Sequence, residues 1–238
     1  MNGEIAKVYN IILASKSALK KRNGIKYRPA YYEKETEFIF LNNQKYKAKN
    51  VEEWFEYCID RGLQNIKFLI PTSVKDRSFL GFINTSQACL VCFFENNLVT
   101  FFTYTEHRCE NPPKKKPKFS DNSEDFKNTL RRIATFADKI DFQNFANIFT
   151  KAFDILNGDN IENIRNAFYG QYFFELPETN KRLFYASDIS DVFGGMGSWN
   201  DSPPCYAAEK GLENEYNNLS SELLTQIRLA LLYSVNEW

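Results

Sequence analysis

The chain has little of several residue types, and each scarcity excludes a class of protein. Its 238 residues include only 10 glycines and no sustained heptad pattern, which excludes collagen-like and coiled-coil proteins. No run approaches the roughly 20 apolar residues of a transmembrane helix. The first 21 residues hold an apolar run too short for a signal peptide. We therefore expect a soluble, cytoplasmic protein without a membrane partner.

Metal-binding residue types are also scarce. His107 is the only histidine, and the five cysteines are Cys58, Cys89, Cys92, Cys109 and Cys205. No spacing among them completes a zinc site, because Cys89-x-x-Cys92 has no second ligand pair. The sequence predicts neither a metal ion nor a cofactor, and it predicts reduced thiols, with Cys89 and Cys92 buried in a core strand.

Aromatic residues, by contrast, are abundant. Phe, Tyr and Trp make up 16% of the chain, a composition that excludes an intrinsically disordered protein. The length suits one large domain or two small ones, each with its own core. The sequence therefore predicts a globular protein.

The zero net charge hides an asymmetry along the chain. Residues 1–123 contain 20 Lys and Arg against 13 Asp and Glu, a net charge of +7. Residues 124–238 contain 10 against 17, a net charge of −7. Such asymmetry indicates two modules, or one basic and one acidic face. Opposite charges that help the two halves dock would explain it equally well.

A proline- and lysine-rich stretch marks the predicted boundary. Residues 112–118 hold three prolines and four lysines, which a helix interior or a central strand does not accommodate. We therefore predict a basic α/β domain over 1–111, a linker over 112–122 and an acidic, mainly helical domain over 123–238. Ser123 is the predicted N-cap of the first helix after the linker.

Hydrophobic periodicity gives the predicted elements. An opening helix is expected over 4–22. Asn50 is expected to cap a second helix that continues to about Arg61, with one apolar face formed by Val51, Trp54, Phe55, Cys58 and Ile59. Residues 37–41 with 44–48, and 88–94 with 98–104, have the pattern of β-hairpins. Helical spacing then dominates from 124 to 157, with a break expected near Asp141. A last helix is expected over 220–236, with an apolar stripe formed by Leu223, Leu224, Ile227, Leu231 and Val235. The predicted fold class is α+β, with a small antiparallel sheet in the N-terminal part and a mainly helical C-terminal part.

The most unusual local sequence is a glycine-rich segment, Asp191–Asp201. Gly194, Gly195 and Gly197 permit positive φ angles and close backbone approach. The segment lacks the spacing of a Walker loop or a dinucleotide fingerprint. It suits either a tight connection in which Trp199 and Phe193 fill the core, or a loop whose amides bind an anion or a partner.

The stretch Phe193–Asp201 resembles the Gly-Gly-Met-Gly-Ser-Phe/Trp-Asn-Asp signature of small helical bacterial domains of unknown function. Proteins with this signature resemble those encoded near polymorphic toxin and immunity genes. The resemblance covers roughly residues 124–238, with a longer spacer through 169–185 and with prolines at 203 and 204 in place of an apolar continuation. The resemblance implies a bacterial protein-interaction role and no particular chemical activity, because the family has no established activity.

Together, the resemblance and the acidic charge predict a non-enzymatic bacterial interaction protein of the immunity or antitoxin type. Its partner is expected to be a basic protein, such as a toxin. The predicted partner- or ligand-binding residues are Asp191, Gly194, Gly195, Gly197, Ser198, Trp199, Asn200 and Asp201.

The alternative places function in the basic N-terminal half. His107 follows a predicted strand and could serve as the acid or base of a metal-independent ribonuclease, with Arg108 and the lysines at 114–116 binding phosphate. The same residues would suit a protein that binds nucleic acid without cutting it. An exposed polar residue entering a loop explains His107 equally well.

Overall fold

The computed structural model describes most of the chain. The described residues are 3–29, 37–40, 45–46, 48, 50–72, 88–95, 99–103, 113, 115–159, 161, 173 and 175–238. Within these ranges the chain forms seven helices and five strands. The predicted α+β class, with an antiparallel sheet and a mainly helical C-terminal half, is confirmed.

The elements follow one another along the chain in two groups. The first half contains helices α1 (Gly3–Lys21) and α2 (Val51–Ile59), and strands β1 (Glu37–Phe40), β2 (Lys45–Tyr46), β3 (Leu63–Leu69), β4 (Cys89–Phe94) and β5 (Val99–Thr103). The second half contains helices α3 (Ser123–Lys139), α4 (Gln143–Asn157), α5 (Glu178–Ser190), α6 (Pro203–Glu209) and α7 (Glu213–Asn236). In the described part of the chain, no helix has the length and apolar character needed to cross a membrane.

The chain divides into two compact units. The helical unit comprises Ser120–Ile164 and Pro177–Ser234. The sheet unit comprises Asn2–Phe119, Arg165–Leu176 and Val235–Trp238. The sheet unit thus includes two short segments from the acidic half of the sequence, which boundaries drawn from composition do not anticipate.

The sheet has the strand order β2-β1-β5-β4-β3, and every neighbouring pair is antiparallel. Both predicted hairpins are present, with Phe38 opposite Tyr46 in one and Val91 opposite Phe101 in the other. The hairpins join through β1 and β5, where Glu37 lies opposite Thr103. Cys89 and Cys92 are buried in β4, as predicted.

Helix α1 lies against β3 and β4. Its residues from Ile5 to Ala18 are buried except for Asn10, which is half-buried. A helix that is covered nearly all round belongs to a core rather than to a surface. Its buried positions include the charged side chains of Lys7 and Lys16.

Helix α2 is capped as the sequence predicts. The Asn50 side chain accepts a hydrogen bond of 2.8 Å from the Glu53 N–H, and Gly62 follows the helix with φ +77°. Two details of the prediction are wrong. The helix ends at Ile59 instead of near Arg61, and the Ile59 side chain is 42% exposed instead of lying with the buried face.

In the helical unit, α3 and α4 follow the predicted periodicity. Phe126, Leu130 and Ile133 are buried, and the predicted break occurs at Asp141, which has φ +67°. The predicted N-cap is wrong, because Ser123 is already helical and Asn122 precedes the helix. Asn122 instead donates from its carboxamide to Gln226.

Helix α7 is longer than predicted. It begins at Glu213 instead of Ser220, because Tyr216 and Leu219 extend its buried stripe by two turns. Leu223, Ile227 and Leu231 are buried as expected.

The Asn50 cap provides a test of the sheet unit. We expect Asn50→Ala to lower the free energy of unfolding by about 1 kcal/mol, because the Glu53 N–H loses its acceptor. Asn50→Asp keeps a side-chain acceptor and serves as the control, with stability close to that of the wild type. Urea unfolding of the three proteins measures the difference. Equal losses in both variants would contradict the assignment.

Candidate functional site

The glycine-rich segment forms a loop between α5 and α6, here called the glycine loop (Asp191–Asp201). Helix α5 ends at Ser190 and α6 begins at Pro203, a position where proline is well tolerated because the first helical N–H has no partner within the helix. The glycine loop lies wholly in the helical unit.

Trp199 anchors the glycine loop in the core of the helical unit. Its side chain has 0% exposure. The centroid of its ring system lies 5.2 Å from that of Phe145, 5.3 Å from Phe149, 5.4 Å from Tyr216 and 6.4 Å from Phe136. The three phenylalanines meet the indole edge-on, an arrangement that aromatic quadrupoles favour.

The polar groups of Trp199 are satisfied within the same core. Its indole N–H donates to the Ser220 hydroxyl at 2.8 Å, and its carbonyl accepts from the Tyr216 hydroxyl at 2.8 Å. Burial raises the pKa of Tyr216, although its bond to Ser220 opposes the shift. Tyr216 therefore remains a hydrogen-bond donor at neutral pH.

Side chains at the end of the glycine loop close it on itself. The Asn200 carboxamide accepts from the Gly194 N–H at 2.8 Å and donates to the Gly194 carbonyl at 2.9 Å. Asp201 accepts from the Gly197 N–H at 2.8 Å, and the Ser198 hydroxyl donates to Asn200 at 2.9 Å. Three of the predicted binding residues, Ser198, Asn200 and Asp201, therefore hold the conformation of the loop.

These bonds bear on whether the glycine loop binds an anion. The amide of Gly194 is taken by Asn200, and the amide of Gly197 by the carboxylate of Asp201. The chain's own carboxylate therefore occupies the position on Gly197 that an anionic ligand would need. Phosphate binding there would require Asp201 to leave.

The tip of the glycine loop is exposed. Gly194, Gly195 and Gly197 are exposed, and the Met196 side chain between them is 97% exposed. Gly197 has φ +80°, a conformation that favours glycine. The binding residues predicted from the sequence do not include Met196, although a single methionine among glycines is unusual enough to have been considered.

Asp191 lies near a charge partner that the sequence did not reveal. Burial raises the pKa of Asp191, whereas the positive charge of Arg228 lowers it and Asp188 raises it further. Arg228 is 4% exposed, and burial lowers the pKa of its guanidinium against the influence of Asp191. Its Nε and Nη1 have no hydrogen-bond partner in the described part of the chain. The sequence pattern does not single out Arg228, because this residue falls within the apolar sequence of α7.

The other predicted residues are placed as follows. His107 and Arg108, which the ribonuclease alternative needs, lie outside the described residues, as does Cys109. Among the residues that the structure describes, no three metal-ligating side chains come together. Burial raises the pKa of Cys92, and its contact with the Cys58 thiol adds to the shift.

Comparison of the chain with known protein families, with curated proteins and with solved structures gave no match.

Two glycines of the loop form a matched pair for testing its backbone. A Cβ atom at either Gly195 or Gly197 meets nothing within 4 Å, but only Gly197 has a positive φ. We expect Gly197→Ala to lower the free energy of unfolding by about 1 kcal/mol or more. Gly195→Ala should change it by no more than about 0.5 kcal/mol. Urea unfolding measures both, and equal effects would contradict the described loop conformation.

Proposed function

We propose that the chain is a non-enzymatic interaction protein of the immunity or antitoxin type, and that it binds a basic protein partner through its helical unit. The observation that carries the proposal is the tip of the glycine loop, where Met196 is almost fully exposed on a backbone fixed by Trp199, Asn200 and Asp201. A contact that is already ordered loses little conformational entropy when a partner binds.

An apolar side chain on a fixed tip suits a protein partner. Met is flexible and polarizable, and it adapts to an apolar pocket in a partner. Among the described residues, few large apolar side chains are exposed. Besides Met196 they are Ile59 and Tyr206, whose side chains are only 42% and 46% exposed. Because the amides of Gly194 and Gly197 are occupied within the loop, the tip offers apolar surface more readily than anion-binding groups.

Charge supports a basic partner. Residues 124–238 carry a net charge of −7. Asp138, Glu209 and Glu213 are exposed and have no ion-pair partner in the described part of the chain. Complementary charge accelerates association and selects against acidic partners. We also propose, from the signature at 193–201, that the protein is bacterial and that its partner is a toxin.

Replacing Met196 tests the proposal. Tagged wild-type protein and the variant Met196→Asp are used to capture proteins from extract of the native cell, at low and high salt. We expect one basic protein at 1:1 stoichiometry, with recovery that falls as salt rises because screening weakens charge attraction. Met196→Asp should lower the affinity for the captured protein by about tenfold or more, since it puts an unpaired charge into the apolar pocket that we propose for Met196.

The matched control is Ile59→Asp, which places the same charge on another exposed apolar side chain, in the sheet unit. It should capture the partner as well as the wild type. Equal loss in both variants, or capture that Met196→Asp leaves unchanged, would contradict the proposal. Recovery of nucleic acid without a protein would favour the alternative, and His107→Ala would then be the next variant.

A further inference from the structure

The sheet unit includes a short segment of the chain that follows the helical unit in sequence. This segment, here called the tail segment, comprises Val235–Trp238, which are the last two residues of α7 and the two residues after it. Val235 and Asn236 are buried, and Glu237 and Trp238 are half-buried. Apart from α7 itself, the groups that bond to the tail segment come from α1, β3 and residue 119, all within the sheet unit.

The side chain of Asn236 bonds to the backbone of β3. The Phe68 N–H donates to the Asn236 side-chain oxygen at 2.7 Å, and the Asn236 side-chain nitrogen donates to the Phe68 carbonyl at 2.8 Å. In the described sheet β3 is the last strand, next to β4. One carboxamide therefore satisfies both backbone groups of Phe68 that β4 does not use.

Glu237 is held by a buried cation and a backbone amide. Its carboxylate accepts from the Lys67 ammonium at 2.6 Å and from the Phe119 N–H at 3.3 Å. Burial opposes ionisation of this carboxyl, but the bond and charge of Lys67 hold the pKa of Glu237 below its usual value. Lys67 is only 4% exposed, so its positive charge needs such a partner.

Lysines of α1 hold the remaining groups of the tail segment. The Lys16 ammonium donates to the carbonyls of Val235 at 3.0 Å and Asn236 at 2.6 Å. The Lys20 ammonium lies 3.8 Å from the centroid of the Trp238 ring, a cation–π distance. Burial, together with the charge of Lys67, lowers the pKa of Lys16 to about 7.

We propose that Lys16, Lys20, Lys67 and the Phe68 backbone form a peptide-binding site, and that the tail segment is its ligand held within the same chain. A carboxamide, a carboxylate and an indole in succession each meet a different, complementary group. The site therefore takes a partner peptide of the Asn-Glu-Trp type, and such a peptide competes with the tail segment. This proposal does not depend on the function proposed for the helical unit.

The test uses the full chain with an emptied site. In the variant Asn236→Ala, Glu237→Ala, Trp238→Ala the tail segment loses the side chains that the site recognises. The probe is a fluorescein-labelled peptide with the sequence of residues 233–238, and anisotropy measures its binding. We expect saturable binding to the variant and binding about tenfold or more weaker to the wild type, whose own segment competes at high effective concentration.

Two controls separate recognition from non-specific attraction to lysine. Adding Lys67→Met to the variant should weaken binding by about tenfold or more, because a charge-assisted bond is lost. A probe peptide with Gln at the position of Glu237 should bind the original variant more weakly by a similar factor. Binding that neither change weakens would overturn the proposal, as would a folded variant that shows no saturable binding.

A milder variant keeps the test decisive if the triple variant does not fold. The double variant Glu237→Ala, Trp238→Ala keeps the two bonds between Asn236 and Phe68 but vacates the positions against Lys67 and Lys20. Because a ligand that binds the native state raises its apparent stability, the same peptide should raise the Tm of this double variant but not that of the wild type. An unchanged Tm in the double variant would overturn the proposal.

Discussion

The burial of one indole is the constraint on which the helical unit depends. Trp199 meets aromatic rings from α3, α4 and α7, so the glycine loop and three helices share one packing arrangement. Removing a fully buried Trp side chain costs about 3–5 kcal/mol in typical cores, a large fraction of the stability of a small domain. The conformation of the loop is therefore set from its buried end.

From this anchor the parts of the glycine loop have separate roles. Trp199 fixes the loop in the core, and Asn200 and Asp201 bond back to the glycine backbone. Between Gly194 and Gly197, only Met196 has a side chain that a partner could contact. The motif thus contains one buried side chain, two side chains that close the loop and one exposed side chain. This division is why we propose a contact function for the tip and not for the whole segment.

Much of the fold could be predicted because it is encoded locally. The stripe of Phe126, Leu130 and Ile133 and the two hairpins each depend on residues close in sequence. Helix α5 escaped prediction because buried polar residues, Asn180, Ser187 and Ser190, interrupt its apolar stripe. Helix α6 escaped because its two opening prolines suggest a break, although proline suits a first helical turn.

The remaining features depend on residues distant in sequence. Nothing local to β1 indicates that it pairs with β5. Likewise, Asn236 shows its role only when placed against Phe68, and Arg228 only when placed near Asp191. For the candidate site, the sequence singled out the glycine-rich segment as unusual. The sequence does not show which residues of the segment are buried and which are exposed, because a glycine-rich stretch permits both arrangements. Only the contacts of Trp199 in the structure show this.

Hydrogen exchange measured by NMR shows directly whether the glycine loop is preformed in the free protein. The Trp199 indole N–H, bonded to Ser220, and the Trp199 amide, bonded to Val192, should exchange about a hundredfold or more slowly than the amide of Met196. The amide of Gly197 should also be protected, because Asp201 accepts from it. Uniformly fast exchange at all four N–H groups would contradict a preformed loop, since the tip would then be ordered only by a partner.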